Sequence, residues 1–367
     1  MKFSKSGHHP DFFLLALALL LLVFGLVILA SASSDLGQID RGDAYYYLKH
    51  QLIFGVSAGL LGFFAGAKVH YQFWKKLAWA FLLINLGLLA MVFTPLGHSA
   101  GGASRWLNLG PVTFQPSELL KLTFVIYLAA WFANPKMNRS QHFWEGMVPF
   151  FTICGIIGGL LILQPATSTV IILLASGLTM YFLGGAPWRH ILLGGAVGAA
   201  VFAGIIWSTP YRMERILSYL DPERDTQGSS YQISQALTAI GSGGLTGMGY
   251  GQSTSKVNAL PTPMDDSIFA VAAQELGFLG ASALVLLFGM FVFRLIWIAR
   301  GLRDRFGQLI LAGFAIIIAL QSLVNMGAIS GLFPLTGVPL PFVSFGGTAL
   351  AVFMTMSGIS VNISKYS

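Results

Sequence analysis

The sequence predicts an all-α polytopic membrane protein of about ten transmembrane helices, and three observations carry that prediction. The chain is 55% hydrophobic and only 10% charged, with a mean hydropathy of +0.73, outside the range of an ordinary soluble domain. Its apolar residues gather into runs of about 20, the length a helix needs to cross hydrocarbon. Its basic residues cluster at the ends of alternate runs, the signature of membrane orientation.

The apolar runs cover residues 12–33, 51–68, 77–93, 118–133, 147–163, 168–184, 191–208, 267–293, 307–329 and 343–363. The first follows Lys2 and Lys5 and ends in Ala30, Ser31 and Ala32, which resembles a signal peptide and its cleavage site. Its length exceeds that of a signal h-region, so it is read as a retained span. Lys68, Lys75, Lys76, Lys136, Arg139, Arg189, Arg294, Arg300, Arg303, Arg305 and Lys365 all fall on one side of the alternation. That side is cytoplasmic, and so are both termini. Asp35, Asp40, Asp43, Glu214, Asp221, Glu223, Asp225, Asp265 and Asp266 fall on the opposite side.

The chain therefore reads as a single transmembrane domain, 1–367, with a large extracytoplasmic loop at 209–266 between helices seven and eight. In that loop Met213, Ile216, Leu217 and Leu220 recur at helical spacing opposite Arg212 and Arg215, which predicts an interfacial helix. The net charge of +7 is spread over short juxtamembrane clusters, so it reports topology and a membrane-lipid environment, with no nucleic-acid partner. Cys154 is the only cysteine, which excludes an intramolecular disulfide and a Cys-based metal site.

Charge at membrane depth is costly unless it is paired or faces water, so such residues are functional candidates. Arg105 and Trp106 sit in a Gly-rich outer loop, where Arg105 suits an anion contact. Glu118 and Lys121 share one helix face, either as an intrahelical ion pair or as a substrate contact. Gln164 and Pro165 break the chain between helices five and six, before Thr167, Ser168 and Thr169; a tight turn with an N-cap explains them most simply. Lys256, Asp265 and Asp266 close the large loop just before helix eight, and an Asp there is either a helix cap or a reactive carboxylate. Glu275, about two turns into that helix, needs a partner or a cavity. The last outer loop, 331–347, carries Pro334, Pro339 and Pro341 and no charge, which predicts a stiff apolar loop near the membrane surface.

These positions resemble the SEDS family of shape, elongation, division and sporulation proteins, which includes the RodA and FtsW polymerases. Arg105-Trp106 followed by Gln115-Pro116-Ser117-Glu118 and Lys121 is similar to the family's outer-loop signature, and Gln164-Pro165 to its second. The run Tyr231-Gln232 through Gly243-Gly244 and Gly247–Gly249 resembles its large-loop segment. Lys256, Leu260-Pro261, Asp266, Ile268-Phe269-Ala270 and Glu275-Leu276-Gly277 resemble the region around its essential aspartate, and Asn325, Pro334, Gly337, 339–341, Ser344 and Gly346-Gly347 its tail. Two departures stand out. Ala166 occupies the place of a usual Asp, and Met264-Asp265 replaces the usual His-Thr, leaving two adjacent carboxylates; counting back from Ile268-Phe269-Ala270 selects Asp266.

The resemblance implies a glycosyltransferase that polymerises lipid II, an undecaprenyl-pyrophosphate-linked disaccharide-peptide, for elongation or division at the outer face of the bacterial cytoplasmic membrane. It implies Asp266 as general base. A substrate site is expected from Arg105, Trp106, Glu118, Lys121, Gln164, Arg212, Arg215, Lys256, Glu275 and Ser344. Pyrophosphate and carboxylate oxygens are hard ligands, so a divalent cation, Mg or Mn, is compatible with such a site. The expected partner is a class B penicillin-binding protein, a single-span transpeptidase. The competing readings are a flippase for the lipid-linked precursor, which should hold its ionisable groups in a central two-sided cavity, and a non-catalytic scaffold, which should be indifferent to Asp266.

Overall fold

A computed structural model of the protein describes residues 8–100, 103–108, 110, 113–134, 139–221, 229–258 and 260–367. Lys2, Lys5, Lys136, Glu223 and Asp225, used above to set topology, lie outside the described residues.

In hydrocarbon every backbone amide must be satisfied within its own segment, so the apolar runs fold as helices. They are α1 (Phe12–Arg41), α2 (Tyr46–Lys68), α3 (Gln72–Met91), α4 (Pro116–Phe132), α5 (Phe143–Leu163), α6 (Thr167–Leu183) and α7 (Trp188–Trp207). The outer loop supplies α8 (Pro210–Leu220), α9 (Ser229–Ser242) and the short α10 (Ser255–Asn258), and the last three long helices are α11 (Ile268–Gly301), α12 (Arg305–Ile329) and α13 (Gly347–Ser364). Among the described residues, eight of these helices are long and apolar enough to cross a membrane. The 17-residue helices α4 and α6 complete the ten expected spans. A small antiparallel sheet, β1 (Gly97–Ala100), β2 (Ala103–Asn108) and β3 (Thr113–Phe114), which the sequence reading did not foresee, folds the loop before α4.

Burial sorts the helices into layers. α4 is almost wholly buried and lies against α3, α6, α12 and α13, so it is the central helix. α7 is the opposite case: of its residues only Gly194 is buried, and Leu192, Val197, Val201 and Trp207 face outward, as on a lipid-facing helix.

Both ends of the bundle are tied. At one end Arg294 pairs with Asp11, Gln72 donates to Asp304 at 2.9 Å and the His8 amide donates to the Lys365 carbonyl at 2.8 Å. These are the loops expected inside. The loops expected outside meet at the other end, where α8 forms as the spacing predicts.

One loop docks against a break in a helix, and another enters the bundle. Gly277 interrupts α11 with φ of 67°, a left-handed conformation that glycine adopts readily. The segment Gly243–Gly249 fills the break: the Met248 and Gly249 amides donate to the Gln274 and Glu275 carbonyls at 3.0 and 3.1 Å. In return the Phe278 and Leu279 amides donate to the Gly244 and Leu245 carbonyls at 2.8 and 3.1 Å. A Cβ on Gly247 would collide with the Glu275 carbonyl, which explains the glycine-rich run.

The second is the proline-rich loop 331–347, expected near the membrane surface. Its Leu340, Phe342, Val343 and Ser344 are buried, with the Phe342 ring 5.8 Å from Phe291 and 5.6 Å from Phe353. Gly25 of α1 makes the room, because a Cβ there would strike the Phe342 carbonyl. Apolar side chains without polar atoms gain more from the protein interior than from an interface.

Candidate active site

A cavity of about 430 Å³ opens at the outer end of the bundle, a size typical of ligand sites. Arg105, Arg212 and Arg215 line it together with Gln115, Glu118, Thr167, Ser168 and the loop Phe333–Pro339. Ile171, Phe202, Ile206, Val324 and Phe333 make one wall apolar. Three guanidiniums against one carboxylate leave the lining strongly positive.

Each arginine is aimed by carbonyls or hydroxyls. Arg105 projects from β2 and donates through Nε to the Gln164 carbonyl at 3.2 Å and through a terminal nitrogen to the Pro165 carbonyl. The chain break at Gln164-Pro165 exposes those carbonyls, since helix ends leave acceptors without intrahelical donors. Arg212 donates to Thr167 Oγ1 at 3.0 Å and to the Ile162 carbonyl at 3.2 Å, while Arg215 donates to the Leu335 carbonyl at 3.1 Å. Among the described residues no carboxylate pairs with any of the three. Burial draws the Arg105 guanidinium below its usual pKa and Arg215 adds to the pull, the electrostatics of a site that favours an anion.

Glu118 forms part of the cavity floor. Its Oε1 accepts from Lys121 Nζ at 2.6 Å, and its buried Oε2 has no hydrogen-bond partner. Lys121 is fully buried behind it and also donates to Gln321 Oε1 at 2.7 Å. The intrahelical pair therefore forms, and one carboxylate oxygen is left beside the cavity.

Asp266 is not among the residues that line the cavity; it lies beside it, behind Gly337. The N-cap of α11 is Ser267 and makes no side-chain cap bond. The Asp266 carboxylate instead accepts through Oδ1 from Thr262 Oγ1 at 2.5 Å and from Gln232 Nε2 at 3.3 Å. Its Oδ2 lies 3.9 Å from the place a Cβ on Gly337 would occupy, and Gly337 lines the cavity. Asn325 fixes that relationship by donating both to the Asp266 carbonyl at 2.9 Å and to the Val338 carbonyl at 2.7 Å. Beside it, burial first and the Asp266 charge second push the Asp265 carboxyl up to about 7.

The other predicted residues are placed elsewhere. Lys256 is buried, with Nζ 3.3 Å from Asp35, 3.8 Å from Glu275 and 3.1 Å from the Gly251 carbonyl, so its charge is taken up by protein groups. Glu275 accepts from Ser31 Oγ at 2.5 Å in the same cluster. The Gln164 side chain is buried and donates to the Leu89 carbonyl at 2.9 Å. Ser344 donates to the Asp265 carbonyl at 2.5 Å and accepts from the Leu340 amide at 2.8 Å, which pins the apolar loop. Trp106 pairs with His98 in the sheet. Gln232, Thr262 and Asn325 were not predicted as site residues; Gln232 and Asn325 fall in the motifs that carry the family resemblance, which was the signal that could have found them, while Thr262 has none.

Comparisons with known proteins identify the family and the fold. A family model described as "Cell cycle protein" and labelled for FtsW, RodA and SpoVE matches residues 12–367. Stage V sporulation protein E of Bacillus subtilis (strain 168) is 37% identical over 359 residues, covering 98% of each chain. A probable peptidoglycan glycosyltransferase FtsW of Nitrosococcus halophilus (strain Nc4) is 39% identical over 352 residues, 95% of this chain and 90% of that one. Among solved structures, one reported under the description "Structural coordination of polymerization and crosslinking by a peptidoglycan synthase complex" superposes with a TM-score of 0.80 at 28% identity, over 98% of this chain and 99% of that chain. The rod shape determining protein RodA of Thermus thermophilus matches with a TM-score of 0.69 at 27% identity, over 97% and 96%.

Proposed function

The chain belongs to the family of FtsW, RodA and SpoVE cell cycle proteins, and from that premise we propose that it is a peptidoglycan glycosyltransferase of the bacterial cytoplasmic membrane, polymerising lipid II at the cavity. The observation that carries the reading is the juxtaposition of three arginines without acidic partners, an apolar wall and the Asp266 carboxylate at one end of the bundle.

Each part has a chemical task. The arginines hold the pyrophosphate, since guanidinium forks match phosphate oxygens and stabilise the charge that develops as the leaving group departs. The apolar wall leads toward the exposed helix α7 and receives the start of the polyprenyl chain. Asp266 takes the proton from the acceptor sugar's hydroxyl, that oxygen bonds to the donor's anomeric carbon, and the carbon–oxygen bond to pyrophosphate breaks with its electron pair leaving on the lipid. Undecaprenyl pyrophosphate is the second product. Glu118, which lines the same cavity, is the proposed contact for the sugar.

The donors for a resident metal do not converge: among the described residues no three His, Cys, Asp or Glu side chains form a cluster. A divalent cation, Mg or Mn, would be carried on the pyrophosphate oxygens of the substrate and would offset their charge. The proposed partner is a class B penicillin-binding protein, supported by the similarity to a synthase of both polymerisation and crosslinking.

Purified protein supplied with lipid II and no transpeptidase is the test. Glycan strands support the reading. Transfer of lipid II between the leaflets of a vesicle without strand formation would replace it with the flippase.

A further inference from the structure

Building on that function, we propose that Gln232 and Thr262 are positioning residues that dedicate one oxygen of Asp266 to the protein and leave the other, Oδ2, as the atom that receives the acceptor's proton. The two donors come from separate parts of the large loop, Gln232 from α9 and Thr262 from the segment just before α11. Thr262 Oγ1 lies 2.5 Å and Gln232 Nε2 3.3 Å from the same oxygen, Oδ1. The Gln232 amide is itself held, reaching Ser267 Oγ at 3.1 Å and Thr262 Oγ1 at 3.4 Å. With the Asp266 backbone clamped by Asn325, a carboxylate fixed at one oxygen has one orientation left for the other. Oδ2 then faces Gly337, where glycine leaves the approach free of a side chain.

Few charges surround this carboxylate. Asp265 is its neighbour in the loop, Arg215 reaches the cavity loop at Leu335, Tyr231 is the one titratable residue on α9, and Asn325 and the loop 331–347 carry no charge. Its orientation therefore rests on the Thr262 and Gln232 donors.

Thr262→Val and Gln232→Leu, purified in detergent and assayed with lipid II, are expected to lower kcat about 10-fold each with KM within about 2-fold of wild type and melting temperatures near wild type. Thr262→Ser, which keeps the donor, should restore kcat. A kcat loss that Thr262→Ser does not restore, or one matched by a lower melting temperature, overturns the proposal, because a merely structural role would give that result, and so do two variants that behave as wild type. Should Thr262→Val fail to fold, Gln232→Leu decides alone. Asp266→Asn in the same assay separates the two levels: if it is inactive while both positioning variants are normal, the base survives and this inference fails; if it is active, the base itself is lost.

Discussion

Arg105 and Gln164 are 59 residues apart in sequence, yet the Arg105 guanidinium donates to the Gln164 carbonyl at 3.2 Å and so brings the outer loop between α3 and α4 onto the break between α5 and α6. The side chain is aimed by backbone acceptors, and among the described residues no carboxylate pairs with it. Arg105→Ala should raise the KM for lipid II by about 10- to 100-fold while the protein stays folded in detergent. Arg105→Lys should recover only part of this, because a point charge does not reproduce a forked contact. Wild-type KM in the alanine variant would remove Arg105 from the pyrophosphate site.

Lys256 makes the contrasting prediction. Its ammonium is enclosed by Asp35, Glu275 and carbonyls, so Lys256→Met leaves buried Glu275 without its cation. The cost should be a few kcal/mol of stability, read as a lower melting temperature in detergent. A variant with unchanged melting and a raised KM would return Lys256 to the substrate site.

The docking of Gly243–Gly249 into the α11 break predicts opposite signs for two glycines. Gly247, at φ of 85° with the Glu275 carbonyl in the way, should lose about 1–3 kcal/mol as Gly247→Ala. Gly241, helical with open space around it, should be neutral or slightly stabilised as Gly241→Ala. Thermal melting of the two variants checks this, and equal melting temperatures would contradict the docked loop.

Asp265 gives a pH signature. Burial, and then the Asp266 charge, hold its carboxyl at about 7 against an ordinary 3.8. The folded protein keeps this proton over a range in which the unfolded chain has lost it, so stability falls as pH rises from about 4 to about 7. Asp265→Asn should therefore be more stable than wild type at pH 8, by at most about 4 kcal/mol, and equal to it at pH 4. Melting curves at the two pH values measure the difference; a variant less stable at pH 8 would mean that the ionised carboxylate is held by a partner.

Much of this architecture was legible because membrane solvation imposes a strong signal. Ten apolar runs became ten helices, and the amphipathic spacing at 210–220 became α8. Of the residues expected at the substrate site, Arg105 and Glu118 from the motifs and Arg212 and Arg215 from the amphipathic spacing line one cavity. What could not be read was pairing. A buried lysine that neutralises Glu275 and an arginine that waits for an anion look alike in sequence, since both are cations in outer loops, and only the surrounding carbonyls and carboxylates separate Lys256 from Arg105. The inward course of the loop at Phe342 was hidden for a related reason. An apolar loop without charge suits the bundle interior as well as the interface, and the deciding feature, the missing Cβ of Gly25, lies more than 300 residues away in sequence.

The most direct measurement is glycan-strand formation from lipid II by purified Asp266→Asn and Asp265→Asn. Asn keeps the size of Asp266 and can still accept from Thr262 and Gln232, but it cannot take the acceptor's proton. The account predicts polymerisation reduced by roughly 100-fold or more in Asp266→Asn, with melting in detergent near wild type, and substantial activity in Asp265→Asn. Normal polymerisation by Asp266→Asn would contradict the carboxylate-base mechanism, and normal Asp266→Asn beside an inactive Asp265→Asn would move the base by one residue.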